Sequence, residues 1–252
     1  MTNQPQILTK ALTSRYRGLK QVKNRKEEGL FLLEGVRLCQ EAFNSKLDFE
    51  ACIIGKNFDK LTIPDQLILF EANQTQLEQI SDSKSPQGII CIAKIPSPAP
   101  PSAPTAGRTL LVLDRMADPG NMGTIFRSAL WFGVTDILIG PDCVDPFSPK
   151  VVRSSMGAIT SLNIQFSSNL IASAQEWKQD KGEVIALHMT GTQLKQYQPH
   201  RGLFLVVGSE AHGVAPDLLA LCHPVAIEKQ GAGESLNAAM ATAIALYELN
   251  RH

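Results

Sequence analysis

From residue 109 onward, short apolar runs alternate with amphipathic stretches, and this alternation restricts the fold more than any other feature. The apolar runs predict strands at 109–114, 136–140, 162–166, 183–189, 203–208 and 224–228. The stretches between them predict helices at 123–133, 149–157, 172–180, 192–197 and 216–222, with a last helix over 235–251. Continuously apolar strands that alternate with helices are typical of a mostly parallel sheet covered on both faces. The second half is therefore predicted to be an α/β domain.

A segment rich in proline, alanine and serine, residues 95–108, separates this half from the first. Such a composition continues neither a helix nor a sheet, and it predicts a semi-rigid, extended linker. The first part has strand patterns at 31–35, 49–55, 66–71 and 88–95 and helix patterns at 36–43 and 73–82. The predicted organisation is a smaller α/β domain over 1–95, a linker over 96–107 and a larger domain over 108–252.

The distribution of charge is more informative than its sum, because the formal net charge of the 252 residues is zero. Up to Lys26 the chain has basic residues and no acidic one: Lys10, Arg15, Arg17, Lys20, Lys23, Arg25 and Lys26. This block indicates either contact with a polyanion or a solvated N-terminal helix, and the block alone favours neither. The candidates for RNA contact are Arg15, Arg17, Lys20, Lys23, Arg25 and Lys26.

Cysteine and histidine patterns argue against metal and disulfide frameworks. The five cysteines are scattered without a CxxC pair, and no HxxxH or HExxH motif is present. We expect no metal site and reduced cysteines, as in a cytoplasmic protein. The N-terminus lacks the pattern of a signal peptide, and no apolar run approaches the roughly 20 residues of a membrane span.

Three glycine-containing segments follow predicted strands at 118–129, 208–214 and 230–241. Ligands of open α/β sheets bind at the carboxyl ends of strands, so these segments are expected to form one site. The third segment resembles a phosphate loop, but Leu236 stands where a dinucleotide-binding motif has its third glycine, and no P-loop lysine is present. The alternative for this segment alone is a flexible lead into a helix.

Together, "DPGNMGTIFRSA", "GSEAHGV" and "GESLNAAMA" resemble the three motifs of SpoU/TrmH-type RNA ribose 2′-O-methyltransferases of the SPOUT superfamily. Residues 149–158 resemble the connecting segment of that family, and residues 31–42 and 85–94 resemble its ribosomal-protein-like RNA-binding domain. The resemblance implies a deep trefoil knot in the C-terminal domain, a homodimer and S-adenosylmethionine as cofactor.

The resemblance also implies site residues. The catalytic set is Asn121, Arg127, Glu210, Ser235 and Asn237. The cofactor set, which acts through backbone groups, is Leu187 (placed at the end of the fourth strand), Gly208, Ile227 and Leu236. Ordinary structural uses stay open for several of them: helix capping for Asn121 and Ser235, a surface ion pair for Arg127 and a turn carboxylate for Glu210. Glu228 and Lys229 replace the proline and methionine that the family usually has after the isoleucine.

The resulting hypothesis is an enzyme that methylates ribose 2′-hydroxyls in structured RNA, with 23S ribosomal RNA favoured because of the extra N-terminal domain. The alternatives are a transfer RNA methyltransferase and a non-catalytic RNA-binding protein of ribosome assembly. A small-molecule methyltransferase would leave the basic block unexplained.

Overall fold

The computed structural model describes residues 4–100 and 103–250. The chain forms two compact units, and neither is continuous in sequence. The first consists of Met1–Ser97 and Asp145–Ser161, and the second of Pro98–Val144 and Leu162–His252.

The first unit contains a mixed sheet. Its elements up to the linker are β1 (Gln6–Ile7), α1 (Lys10–Gly18), α2 (Val22–Glu28), β2 (Leu30–Glu34), α3 (Val36–Phe43), β3 (Phe49–Gly55), β4 (Leu69–Ala72), α4 (Gln74–Ile80) and β5 (Ile89–Lys94). The strand order is β1-β4-β3-β5-β2. Strand β4 runs parallel to β1 and β3, whereas β5 runs antiparallel to β2 and β3. The expected α/β character of this part is confirmed.

The remaining elements are β6 (Thr109–Leu113), α5 (Pro119–Trp131), β7 (Asp136–Ile139), α6 (Pro149–Ser154), β8 (Asn163–Phe166), α7 (Leu170–Gln179), β9 (Glu183–Gln193), β10 (Leu203–Val207), α8 (Pro216–Leu219), β11 (His223–Ala226) and α9 (Ala238–Leu249). Within the described residues, the second unit has a six-stranded sheet of order β11-β9-β10-β6-β7-β8. Every pairing in it is parallel, which confirms the predicted sheet. All six strands therefore end at the same edge.

The prediction of a helix at 192–197 is wrong. Strand β9 continues to Gln193, and only one 3₁₀ turn, Leu194–Gln196, follows it. Thr192 and Gln193 pair with Val225 and Ala226 of β11, after an irregularity in the ladder. Pairing with a neighbouring strand thus overrides the local helical pattern.

The segment Asp145–Ser161, which the sequence places in the second domain, belongs to the first unit. Its Phe147 ring packs 5.1 Å from the ring of Phe31, measured between centroids. Its Asp145 carboxylate accepts hydrogen bonds from the guanidinium of Arg25, with Nε at 2.8 Å. Helix α6 contacts β2. The first unit is therefore completed by chain that lies beyond the linker.

Helix and strand are absent from the described linker residues 95–100 and 103–105, as the composition predicts. The linker is nevertheless attached to the second unit. The Ala99 amide donates to Asn163 Oδ1 at 2.9 Å, and the Gly202 amide donates to the Pro104 carbonyl at 3.2 Å. A Cβ on Gly202 would lie 2.5 Å from the Pro104 backbone, so only glycine permits this approach.

Candidate active site

Three loops leave strands of the parallel sheet at its carboxyl edge. Residues 114–118 follow β6 and lead into α5, residues 208–215 follow β10, and residues 227–237 follow β11. Strand β10 lies between β6 and β9, and β11 lies beside β9. The order of the strands thus gathers the three motif segments, as expected of ligand sites in parallel sheets.

Hydrogen bonds join one side chain from each segment. Asn121 Nδ2 donates to Glu210 Oε1 at 2.6 Å. Asn237 Nδ2 donates to the same oxygen at 2.6 Å and to Asn121 Oδ1 at 3.0 Å. The side-chain amides of Asn121 and Asn237 therefore hold the Glu210 carboxylate through a single oxygen, Oε1. Among the described residues, Glu210 Oε2 has no hydrogen-bond donor.

The two helices at this site have caps other than those predicted. Asp118 caps α5, because its carboxylate accepts the backbone N–H of Asn121 at 2.7 Å. Asn237 caps α9 by accepting the amides of Ala239 and Met240. Capping by Asn121 and Ser235 is therefore wrong, and Ser235 lies exposed before the helix. Asp118 was missed, although an Asp followed by Pro at the first helical position is a recognisable start signal.

The segment that carries Glu210 is a tight hairpin. Ser209 and Gly213 form an antiparallel bridge, in which the Gly213 amide donates to the Ser209 carbonyl at 2.9 Å. A Cβ on Gly208 would lie 2.1 Å from the Gly213 carbonyl carbon. Gly208 is thus required by the hairpin itself, in addition to any contact with a cofactor.

Arg127 is exposed on α5 and lies outside the hydrogen-bonded group. The helical repeat places it about 120° around the helix axis from Asn121. Within the described residues its guanidinium makes no hydrogen bond or ion pair. The side chain is therefore available to a ligand, and the structure does not bring it to Glu210.

The remaining cofactor candidates lie around the third loop. Leu187 is inside β9 instead of at its end, at the start of the ladder irregularity, because Ala186 pairs with Pro224 and Thr192 with Val225. Ile227 follows β11 directly and is half-buried, whereas Leu236 is 48% exposed. Leu187 and Ile227 thus lie on or next to the adjacent strands β9 and β11, and Leu236 lies at the end of the third loop, before α9.

The third loop has the properties that a backbone-lined cofactor site needs. Across residues 229–236, the backbone makes no hydrogen bond to the described part of the chain. No atom lies within 4 Å of a Cβ built on Gly231 or Gly233. Free amides and carbonyls beside open space suit an adenosine and an amino-acid group, so this loop fits S-adenosylmethionine. Glu228, at the family departure, forms an ion pair with Lys195 beside the loop.

The predicted RNA-contacting residues divide into two groups. Arg25 is 2% exposed and donates to Asp145 and to the Leu19 carbonyl, so its assignment to RNA is wrong. Arg15 is bound by the carboxylates of Glu28 and Glu50, which neutralise its charge. Arg17, Lys23 and Lys26 are exposed and Lys20 is half-buried. Lys23 forms an ion pair with Glu27 one helical turn away, with Nζ 3.8 Å from Oε1, and an exposed pair of this kind is weak enough to exchange for a ligand.

The described residues show neither a metal cluster nor a membrane-spanning helix. The described residues contain no group of three or more His, Cys, Asp or Glu side chains arranged to hold a metal ion. In the same part of the chain, no helix combines the length and apolar character needed to cross a bilayer.

Comparison with known proteins assigns both parts of the chain. Residues 108–247 match the SpoU rRNA methylase family, and residues 14–91 match the MRM3-like substrate binding domain. The first match contains all three loops of the site. The second contains α2 to α4, β2 to β4 and most of α1.

Relatives align over nearly the whole chain. The chain is 32% identical over 249 residues to an uncharacterized tRNA/rRNA methyltransferase of Synechocystis, covering 95% of this chain and 90% of that protein. It is 27% identical over 233 residues to the 23S rRNA (guanosine(2553)-2′-O)-methyltransferase RlmP of Bacillus subtilis, covering 90% and 91%. An AdoMet-bound rRNA methyltransferase from Sinorhizobium meliloti superposes with a TM-score of 0.84 at 28% identity, covering 98% and 97%. The chain belongs to the SpoU rRNA methylase family.

Proposed function

We propose that this protein transfers a methyl group from S-adenosylmethionine to a ribose 2′-hydroxyl of ribosomal RNA, with the large-subunit RNA as the favoured target. The observation that carries the proposal is the Asn121–Glu210–Asn237 group at the carboxyl edge of a SpoU-type sheet. The Bacillus subtilis relative, whose name specifies 23S rRNA and 2′-O-methylation, supports the target.

S-adenosylmethionine supplies an electrophilic methyl group on its sulfonium. The chain has to hold this group in line with the hydroxyl and to exclude water, which is mainly a task of positioning. The unpaired backbone of residues 229–236 and the Gly208 turn are the parts that would hold it.

Glu210 is the group suited to receive the hydroxyl. Its Oε1 is occupied by the amides of Asn121 and Asn237, and Oε2 has no donor among the described residues and can bind a ligand. That oxygen can accept a hydrogen bond from the 2′-hydroxyl and then its proton, as a general base does. The products are the 2′-O-methyl ribose and the neutral thioether of the cofactor. Arg127 binds a neighbouring phosphate, because a free guanidinium is a strong phosphate donor.

The first unit reads the RNA through the cations of α1, α2 and the turn between them, the exposed Arg17, Lys23 and Lys26 and the half-buried Lys20. Two features support this role: the match of residues 14–91 to a substrate-binding domain, and the availability of these side chains beside a neutralised Arg15. Contacts with phosphates would make binding depend strongly on salt.

We also propose that two copies of the chain associate through α5 and α9. Met240, Ile244 and Tyr247 recur on one face of α9 and are exposed, and Trp131 on α5 is 84% exposed. The opposite face of α9, including Ala238, Ala239 and Ala245, is buried within the same unit. Clustered exposed apolar side chains of this kind are typical of an interface. Sedimentation of Met240→Glu would give a monomer where the unchanged chain gives a dimer, and a monomeric parent would refute the proposal.

A knotted path and a cytoplasmic location complete the proposal. Strand β10 lies between β6 and β9, both of which precede it in sequence, and this order supports a backbone that threads a loop. The five free cysteines, three of them buried, support a reducing compartment.

The deciding experiment is to map 2′-O-methyl sites across total RNA from cells with and without the gene, and from cells that carry Glu210→Gln. Glutamine keeps the oxygen that accepts from Asn121 and Asn237 but cannot take up a proton. One ribosomal site that is lost in both altered strains and restored by the unchanged gene is expected. A site in transfer RNA would identify the alternative substrate. An unchanged map in the absence of the gene would refute the enzyme.

A further inference from the structure

We propose that Asp114 and Arg115, which no comparison assigns to the site, are positioning residues for Glu210. They follow β6, whereas Glu210 lies in the hairpin Ser209–Gly213 after the neighbouring strand β10. The inference rests on the proposed function, in which the Glu210 carboxylate receives the hydroxyl. We call these two residues the Asp114–Arg115 pair.

The side chains of the Asp114–Arg115 pair bind backbone groups at the base of the hairpin. Asp114 is 4% exposed, and its Oδ2 accepts the backbone N–H of Ala215 at 2.7 Å. Arg115 Nη2 donates to the Gly213 carbonyl at 3.2 Å. That same carbonyl accepts the Ser209 amide, which closes the hairpin. Glu210 thus stands on a turn whose last residues are fixed from the adjacent strand.

The backbone of Arg115 indicates that this arrangement is imposed. Arg115 has a φ of 54°, a left-handed conformation that residues with a Cβ seldom adopt. Its Nε is buried without a hydrogen bond among the described residues, although it lies 3.5 Å from Asp114 Oδ2. Strained conformations and unsatisfied polar groups persist where the surroundings require them, and they occur frequently at functional sites. Here the turn aims the guanidinium at the Glu210 hairpin.

The test is Arg115→Gly, because glycine tolerates the left-handed backbone while the guanidinium is lost. Lys181→Gly is the matched control. Lys181 also has a positive φ, of 65°, but it precedes β9 at the opposite edge of the sheet. Both variants should keep the melting temperature of the parent within about 3 °C. Only Arg115→Gly should slow single-turnover methyl transfer at saturating RNA and cofactor, by roughly 10- to 100-fold. Arg115→Lys, which retains one donor, should recover part of the rate.

A second readout needs no activity. Hydrogen exchange at the Gly213 and Ala215 amides should accelerate in Arg115→Gly and stay unchanged in Lys181→Gly. Normal turnover in Arg115→Gly, or unaltered exchange at these amides, would overturn the inference. If the unchanged protein transferred no methyl group to any RNA, the proposed function would fail, while exchange would still show whether the pair holds the hairpin.

Discussion

Asn237 donates from Nδ2 to Glu210 Oε1 at 2.6 Å while its own Oδ1 accepts the first amides of α9. One side chain therefore begins a helix and fixes the carboxylate of the proposed base. Because its two ends have separate partners, substitution can remove one role and keep the other.

Asn237→Ser should separate these roles. Serine caps helices about as well as asparagine, so stability should change little. Its short hydroxyl cannot reach Glu210, and we expect methyl transfer to slow roughly 100-fold, as when one preorganised donor is lost. The measurements are a thermal melt and a single-turnover rate. The matched control is Asn169→Ser at the cap of α7, where the side chain accepts the Ala172 amide and touches no site residue. Equal rates in the two variants would contradict the role of Asn237.

Arg127→Ala should abolish transfer and leave the affinity for S-adenosylhomocysteine nearly unchanged, since the guanidinium has no hydrogen-bond or ion-pair partner in the part of the chain that the structure describes. Loss of one phosphate contact should also reduce the salt slope of RNA binding by about one unit. Lysine at this position should restore RNA binding better than turnover, because it lacks the planar fork. Calorimetry with the cofactor product and salt titrations with RNA give the two quantities. Loss of cofactor binding would instead make Arg127 structural.

Substitution of Arg25 should affect stability, whereas substitution of its neighbour Lys26 should affect RNA binding. Arg25→Met leaves Asp145 partly buried without its cation and should lower the free energy of unfolding by about 3–5 kcal/mol. Lys26→Ala, at an exposed position, should leave that free energy nearly unchanged and weaken RNA binding. Denaturant titration and a binding isotherm test both. The double variant Arg25→Met with Asp145→Leu should regain only part of the loss, because the Leu19 carbonyl and the Phe147 amide also lose their side-chain partners. No recovery at all would argue against the ion pair as the source of the loss.

Acid should destabilise the second unit partly through Glu183. Burial raises the pKa of this carboxyl, but hydrogen bonds from Tyr197 Oη and from the His200 and Arg201 amides outweigh it and hold the pKa below the ordinary 4.5. A lowered folded pKa stabilises the protein above pH 4.5, and this stabilisation is lost as pH falls through the folded value. Tyr197→Phe should therefore melt below the parent at neutral pH, and the difference should shrink in acid. A constant difference across that range would refute the linkage.

Local sequence patterns predicted helices and strands well where contacts with distant parts of the chain do not change them. Helix α3 and strand β3 have the bounds that the sequence indicates, because the apolar faces of both are buried in their own unit. The prediction of a helix at 192–197 was wrong because the strand that pairs with its first residues, β11, lies about 30 residues further along the chain. The pairing of Arg25 with Asp145 spans 120 residues and has no local signature.

The sequence likewise predicted some features of the candidate site and missed others. The expectation that the three motif segments meet is confirmed for Asn121, Glu210 and Asn237, since the carboxyl ends of parallel strands lie at one edge of the sheet. The predicted caps, Asn121 and Ser235, were wrong because Asp, Asn and Ser all cap helices well. Only the geometry shows that Asp118 and Asn237 are the caps. The Asp114–Arg115 pair was missed because its importance depends on a backbone angle that the residue types do not reveal.

The path of the chain has a consequence for exchanging parts between relatives. The first unit takes α6 and its flanks, Asp145–Ser161, from the far side of the linker. A chimaera made by a single crossover in the linker would combine one parent's sheet with the other parent's α6, and would separate Arg25 and Phe31 from the Asp145 and Phe147 that they contact in this chain. Transplanting RNA specificity therefore requires three junctions, after Ser97, before Asp145 and after Ser161.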